Sequence, residues 1–165
     1  RLQKMRQGGT LFDKLAEAGA KLLVETLPHI FDGTAVYEKQ PEESPTPYAG
    51  MITKQMGLIN FGKSAEELER LVRGLNPWPS AFTFWNGKTL KVWESFVVKS
   101  EEAGAEKSEP GTVVKTDKKG IYVACGEDVL VLSQVQLEGK KRMDADAFLR
   151  GCHIETGSRF TDKKE

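Results

Sequence analysis

Ser64-Ala65-Glu66-Glu67-Leu68-Glu69-Arg70-Leu71-Val72-Arg73-Gly74-Leu75-Asn76-Pro77-Trp78-Pro79-Ser80-Ala81-Phe82-Thr83-Phe84-Trp85-Asn86-Gly87-Lys88 carries a capped helix, a stop and a hairpin turn in immediate succession. Ser64 and Glu67 make a Ser-x-x-Glu capping box, and Leu68, Leu71, Val72 and Leu75 fall on one helical face. Glu66, Glu69, Arg70 and Arg73 lie largely off that face. Pro77 and Pro79 donate no backbone hydrogen bond and push the preceding residue out of the helical region, so the helix is predicted to end near Asn76. Asn86-Gly87 is a strong two-residue type I′ turn signal, and it pairs Trp85 with Lys88. That register places Phe82, Phe84, Lys91 and Trp93 on one face, with Ala81, Thr83, Trp85, Leu90 and Val92 on the other.

Beyond the hairpin, which spans 80–85 and 88–98, three further strand-like runs follow at 112–116, 121–125 and 129–137. Asp117-Lys118-Lys119-Gly120 and Gly126-Glu127-Asp128 separate them as turns. Segment 100–109 reads as a solvated charged loop, and a short helix from Asp144 carries Phe148 and Leu149 to a stop at Gly151 before an irregular, charged tail. Five strands with short connections predict a mainly β fold: a small, open, OB-like antiparallel barrel with a flanking helix.

Towards the N-terminus, Thr10 reads as an N-cap with Asp13 three residues on, and Pro28 as the point where that helix has stopped. Gly8-Gly9 reads as no more than the approach to it. Leu11, Leu15, Ala18, Leu22 and Leu27 form a stripe that needs a partner, either this chain's own second domain or an upstream domain. The Pro-rich stretch around Gln40-Pro41-Glu42-Glu43-Ser44-Pro45-Thr46-Pro47 is a semi-rigid linker. The expected organisation is a terminal helix in 1–35, a linker in 36–60 and the β module in 61–165.

Hydrophobic residues make up 39% and charged residues 29% of the 165, the profile of a soluble globular chain. No apolar run approaches the ~20 residues that span a bilayer, and no signal-peptide core follows Arg1-Leu2-Gln3-Lys4-Met5-Arg6, so a cytoplasmic protein is expected. The 24 basic and 24 acidic side chains cancel, which argues against a diffuse polyanion binder and confines any RNA contact to a local patch. Cys125 and Cys152 have no CxxC spacing, and Cys125 after Ile121-Tyr122-Val123-Ala124 reads as a buried small hydrophobe. His29 and His153 have no neighbour that would make a dyad or metal site, and no phosphate loop, HExxH or GxSxG occurs.

Two features could carry binding. An aromatic face with Lys91 among the rings is what a single-strand stacking platform presents, against the plainer reading that the helix from Ser64 covers it. The cations best placed for phosphate are Lys140, Lys141 and Arg142 past a strand end, Lys118 and Lys119 in a turn, and Lys88 and Lys91 on the hairpin.

Leu71-Val72-Arg73-Gly74-Leu75-Asn76-Pro77-Trp78-Pro79 and Gly139-Lys140-Lys141-Arg142-Met143, with Pro47-Tyr48-Ala49, Pro110-Gly111-Thr112-Val113 and Gly157-Ser158-Arg159, closely resemble the C-terminal half of the methionyl-tRNA formyltransferase family. The match runs from about Gly9 to Phe160. The resemblance implies a parent enzyme that moves a formyl group from the co-substrate 10-formyltetrahydrofolate to the amino group of initiator methionyl-tRNA. It attributes the chemistry to an Asn, a His and an Asp in an upstream catalytic domain, at positions this chain lacks, so no catalytic residue and no cofactor are expected here. It further implies that the first helix closes that upstream domain and that the β module holds tRNA; a monomer is expected. A stand-alone nucleic-acid-binding barrel, or the structural domain of another folate-dependent formyltransferase, stays open as an alternative.

Overall fold

The computed structural model describes residues 7–105 and 107–163, and its first element is a 24-residue helix, α1 (Gly8–Phe31). Gln7, not Thr10, is its N-cap, and the Thr10 hydroxyl donates back to the Gln7 carbonyl at 2.9 Å. Pro28 sits inside the last turn, because it lacks only its own N–H while its carbonyl still accepts from the Asp32 amide at 2.9 Å. No residue of α1 is buried, so the leucine stripe does not pack on this chain's sheet. The helix touches the rest of the molecule at its N-terminal end. The Gly9 amide donates to the Asn76 carbonyl at 2.9 Å, and a Cβ on Gly8 would lie 2.3 Å from the Gly74 oxygen. Gly8-Gly9 is therefore where two backbones meet, and the absence of side chains is what lets them do so.

A single 3-10 turn, Lys54–Gly57, leads into α2 (Ala65–Gly74). The capping box forms as expected: Ser64 Oγ accepts from the Glu67 amide at 3.3 Å, and a Glu67 carboxylate oxygen accepts from the Ser64 amide at 3.4 Å. Ala65, Leu68 and Val72 are buried, while Glu66–Arg70 and Glu69–Arg73 pair along the exposed side at 3.4 and 2.9 Å. Leu75 caps the helix, and its carbonyl accepts from the Ser80 amide as the chain reverses.

The sheet is antiparallel throughout. Its strands are β1 (Ala81–Trp85), β2 (Lys88–Val98), β3 (Val113–Asp117), β4 (Gly120–Ala124), β5 (Val129–Leu137) and the two-residue β6 (Met143–Asp144), in the order β1-β2-β5-β4-β3 with β6 on β5. The hairpin pairs Trp85 with Lys88, and Asn86 and Gly87 both sit at positive φ (49° and 68°), as a type I′ turn requires. The sheet stays open, as expected for this fold class, with β1 and β3 at its edges.

One face of the sheet meets α2 and a last helix, α4, over a core that includes Ile59, Leu68, Val72, Leu90, Val123, Leu132 and Phe148. Between β2 and β3 lies a short helical turn, α3 (Ser100–Ala103), and α4 (Ala145–Gly151) follows β6. Segment 100–109 is thus not simply a solvated loop. Ala103 and Ala105 pack on Tyr122, Val129 and Val131 at the opposite face, which needs a cover because β4 is buried along its whole length. Burial pushes the Cys125 thiol up to about 12, in keeping with a packing role.

The tail after α4 is less irregular than its composition suggests. The Gly157 amide donates to the Val113 carbonyl and the Val113 amide to Ser158, both at 2.8 Å, while Phe84 and Thr161 exchange both backbone bonds at 3.1 Å. Residues 157–161 therefore strap the β3 edge to the β1 edge, with Phe160 buried and stacked on Phe61 at 6.1 Å.

Candidate nucleic-acid interface

In this topology the β1–β2 turn, the β3–β4 turn and the β5–β6 connection all emerge from the same end of the sheet. That end receives every cation singled out from the sequence. Lys88 starts β2, Lys118 and Lys119 form the β3–β4 turn, and Lys140, Lys141 and Arg142 follow β5. Lys91 lies one step down, opposite Gln136. The hairpin and the β5 end are tied together, since the Glu138 amide donates to the Thr89 carbonyl at 2.8 Å and a Glu138 carboxylate oxygen accepts from the Thr89 amide at 2.9 Å. Lys88 and residues 140–142 thus make one group, and Lys118 with Lys119 a second beyond β5.

Among the described residues, Lys88, Lys118, Lys119, Lys140 and Lys141 are exposed and take part in no ion pair within 4.0 Å. The carboxylate nearest the β3–β4 turn is already occupied. Asp117 pairs with Lys115 at 3.0 Å, holding that ammonium above its usual range, and accepts the Lys119 amide at 2.8 Å. Unpaired ammonium groups keep their full field for a polyanion, whereas a paired one must first exchange its partner.

Arg142, unlike these lysines, has partners within the chain. Its guanidinium lies 4.8 Å from the Trp93 ring centroid, donates to the Gln134 side-chain carbonyl, and pairs with Glu94 at 3.3 Å. Lys91 stands over the same indole at 5.8 Å. Arg142 thus belongs to an exposed cluster of partnered side chains, unlike the lysines beside it.

The aromatic face is also arranged differently from the plainer expectation. Helix α2 packs on the Ala81, Leu90 and Val92 side, leaving Phe82, Phe84, Lys91 and Trp93 half-buried on the outer side. Phe82 and Phe84 make an edge-to-face pair at 5.7 Å. A bulge in β2 shifts the register between Val92 and Ser95, so that Trp93 and Glu94 flank Arg142 together. Gln136 completes the cluster: its side-chain carbonyl accepts from the Trp93 indole N–H at 3.1 Å, and its amide nitrogen donates to the Lys140 carbonyl at 3.0 Å.

Glu94, Gln134 and Gln136 do not stand out in the sequence as site residues. Two glutamines at alternate positions in the otherwise apolar β5 are a usable signal for a polar outer face; the bulge leaves none. Among the described residues, no group of three or more His, Cys, Asp or Glu could hold a metal ion. His29 and His153 are exposed, facing Thr34 at 3.0 Å and Glu155 at 3.9 Å.

The family model described as formyl transferase, C-terminal domain, matches residues 51–153. The methionyl-tRNA formyltransferase of Agathobacter rectalis is 52% identical over 161 residues, covering 98% of this chain and 50% of that protein. The Bacillus subtilis methionyl-tRNA formyltransferase is 48% identical over 150 residues, covering 90% and 46%. The chain thus spans about half the length of the curated relatives it matches. Among solved structures, HypX from Aquifex aeolicus in complex with tetrahydrofolic acid superposes with a TM-score of 0.61 at 12% identity, over 89% of this chain and 25% of that one, a likeness of fold.

Proposed function

We propose that this chain, which belongs to the formyl transferase C-terminal domain family, is the tRNA-holding part of a methionyl-tRNA formyltransferase acting in the cytoplasm. The parent enzyme transfers the formyl group of 10-formyltetrahydrofolate to the amino group of initiator methionyl-tRNA, and works as a monomer. Residues 61–165 form the RNA-holding, OB-like module and 36–60 the bridge. Residues 1–35 close the upstream catalytic domain, whose surface covers the apolar stripe of α1. The single observation that carries the reading is the set of exposed lysines, Lys88, Lys140 and Lys141 in one group and Lys118 and Lys119 in a second, that turn out towards the same end of the sheet and have no ion-pair partner among the described residues. Phosphate contacts fix orientation without reading sequence, and tethering raises the local concentration of the acceptor end at a separate active site.

The chain supplies no step of the transfer on this reading. Formyl transfer needs a donor for the developing oxyanion and a base for the attacking amine. Both histidines are exposed, with Thr34 and Glu155 as their side-chain neighbours at 3.0 and 3.9 Å, and we assign neither a part in the transfer.

The test is a titration of the 165-residue chain with initiator methionine tRNA at several salt concentrations. Replacing Lys140 and Lys141 by alanine should weaken binding and make the log–log salt slope shallower by roughly one unit for each phosphate that is no longer neutralised. An unchanged affinity and slope would remove those lysines from the interface and the reading with them.

A further inference from the structure

We infer that Trp93 is a positioning residue for RNA binding, an inference that rests on the RNA-holding reading above. The indole anchors the turn that presents Lys140 and Lys141, and Arg142 serves this anchor instead of touching phosphate. The geometry runs from strand to turn. The β2 bulge sets Trp93 and Glu94 beside each other at Arg142. Arg142 is held there by three partners, the Trp93 ring at 4.8 Å, the Glu94 carboxylate at 3.3 Å and the Gln134 amide. The near end of the turn is held through Gln136, which accepts from the indole N–H at 3.1 Å and donates to the Lys140 carbonyl at 3.0 Å. The Lys140 amide in turn donates to the Leu137 carbonyl at 2.9 Å, with Gly139 at φ 77° allowing the reversal.

Both ends of the turn are therefore fixed to β2 and β5 by way of one aromatic ring, while the Lys140 and Lys141 ammonium groups take part in no ion pair among the described residues. A flexible turn would lose conformational freedom on meeting phosphate, and a turn fixed beforehand avoids most of that loss. An arginine already engaged by a carboxylate, an amide and a ring has part of its charge and donor set committed within the chain, and so offers less to RNA than a lysine with no such partner.

The experiment is a double-mutant cycle on the 165-residue chain, with transcribed initiator methionine tRNA as the probe. Trp93→Leu in the native background should weaken binding about fivefold to tenfold and make the salt slope shallower. On the Lys140→Ala, Lys141→Ala background the same change should cost less than about twofold, because the groups it positions are gone. Gln136→Ala, which leaves the ring in place, should reproduce the effect if Trp93→Leu folds poorly, and Trp93→Phe, which keeps a ring beside Arg142 but lacks the N–H that holds Gln136, should recover only part of the native affinity. Equal losses in both backgrounds with an unchanged salt slope would mean that Trp93 stacks on a base directly, and would overturn the inference. Unchanged affinity in both Trp93→Leu and Gln136→Ala would overturn it as well. If the lysine pair itself proves silent, the RNA-holding reading fails; if the pair matters and Trp93 does not, only the positioning role fails.

Discussion

Helices α1 and α2 are both amphipathic, yet one is built into the molecule and the other meets it at one end. Helix α2 needs 10 residues to bury Ala65, Leu68 and Val72 under the sheet. Helix α1 runs for 24 and buries nothing, with Leu22 63% and Phe31 82% exposed. The ends differ too. Helix α2 starts on a reciprocal side-chain cap with Glu66 and Glu67 in its first turn, whereas α1 starts on Gln7 with no side-chain cap and no acidic residue there. An apolar stripe is a demand for a partner, and nothing local says where that partner is. For α2 the partner is the sheet a few residues later; for α1 none stands among the described residues, and the proposed upstream domain would supply it.

The contrast can be broken most forcefully at Leu68. Leu68→Ala, at a fully buried site, should cost about 2–5 kcal/mol in urea unfolding, enough to threaten the whole sheet. Ser64→Ala removes one cap and should cost roughly 1 kcal/mol by the same measurement. A pH titration sharpens the difference between the two helix starts. The Ser64 amide, helped by Lys63, holds the Glu67 carboxyl below its ordinary value. Its contribution is therefore complete above the ordinary glutamate range and is lost as pH falls through the lowered folded value. Protection of the amides at the start of α2, taken relative to their intrinsic exchange at each pH, should fall over that acid range, and Glu67→Gln should flatten the response, while the start of α1 follows neither change. Smallest of all, Leu22→Ser on α1 should leave unfolding stability within about 0.5 kcal/mol. A drop of about 2 kcal/mol there, the size expected of a core site, would show that α1 packs on this chain after all.

Much of the fold was legible because its signals are local. Asn86-Gly87 set the hairpin and its register, Ser64 with Glu67 set the start of α2, and apolar runs between turn residues gave five strands and α4. The misses share a cause. Thr10 and Pro28 read as the bounds of α1, but a hydroxyl that donates backward and a proline in a last turn do not end a helix. Strand β6, with two residues, and the cover that α3 gives to Tyr122 exist only once β5 and β4 are in place. At the candidate site the lysines were readable by type and position. Which cations are free was not, because Arg142 is claimed by Glu94 and Trp93 across the sheet, and their meeting depends on a bulge that no residue type announces.

The strap at residues 157–161 has its own consequence. It takes an outer hydrogen-bonding position on each edge strand at once, Phe84 on β1 and Val113 on β3, and so shortens the raw border that either offers to another chain. Trimming the polypeptide just before Gly157 would undo two seals with a single cut. The shortened molecule should then be recognised less by weakened RNA binding than by clumping, through the strand-to-strand adhesion that the intact form withholds.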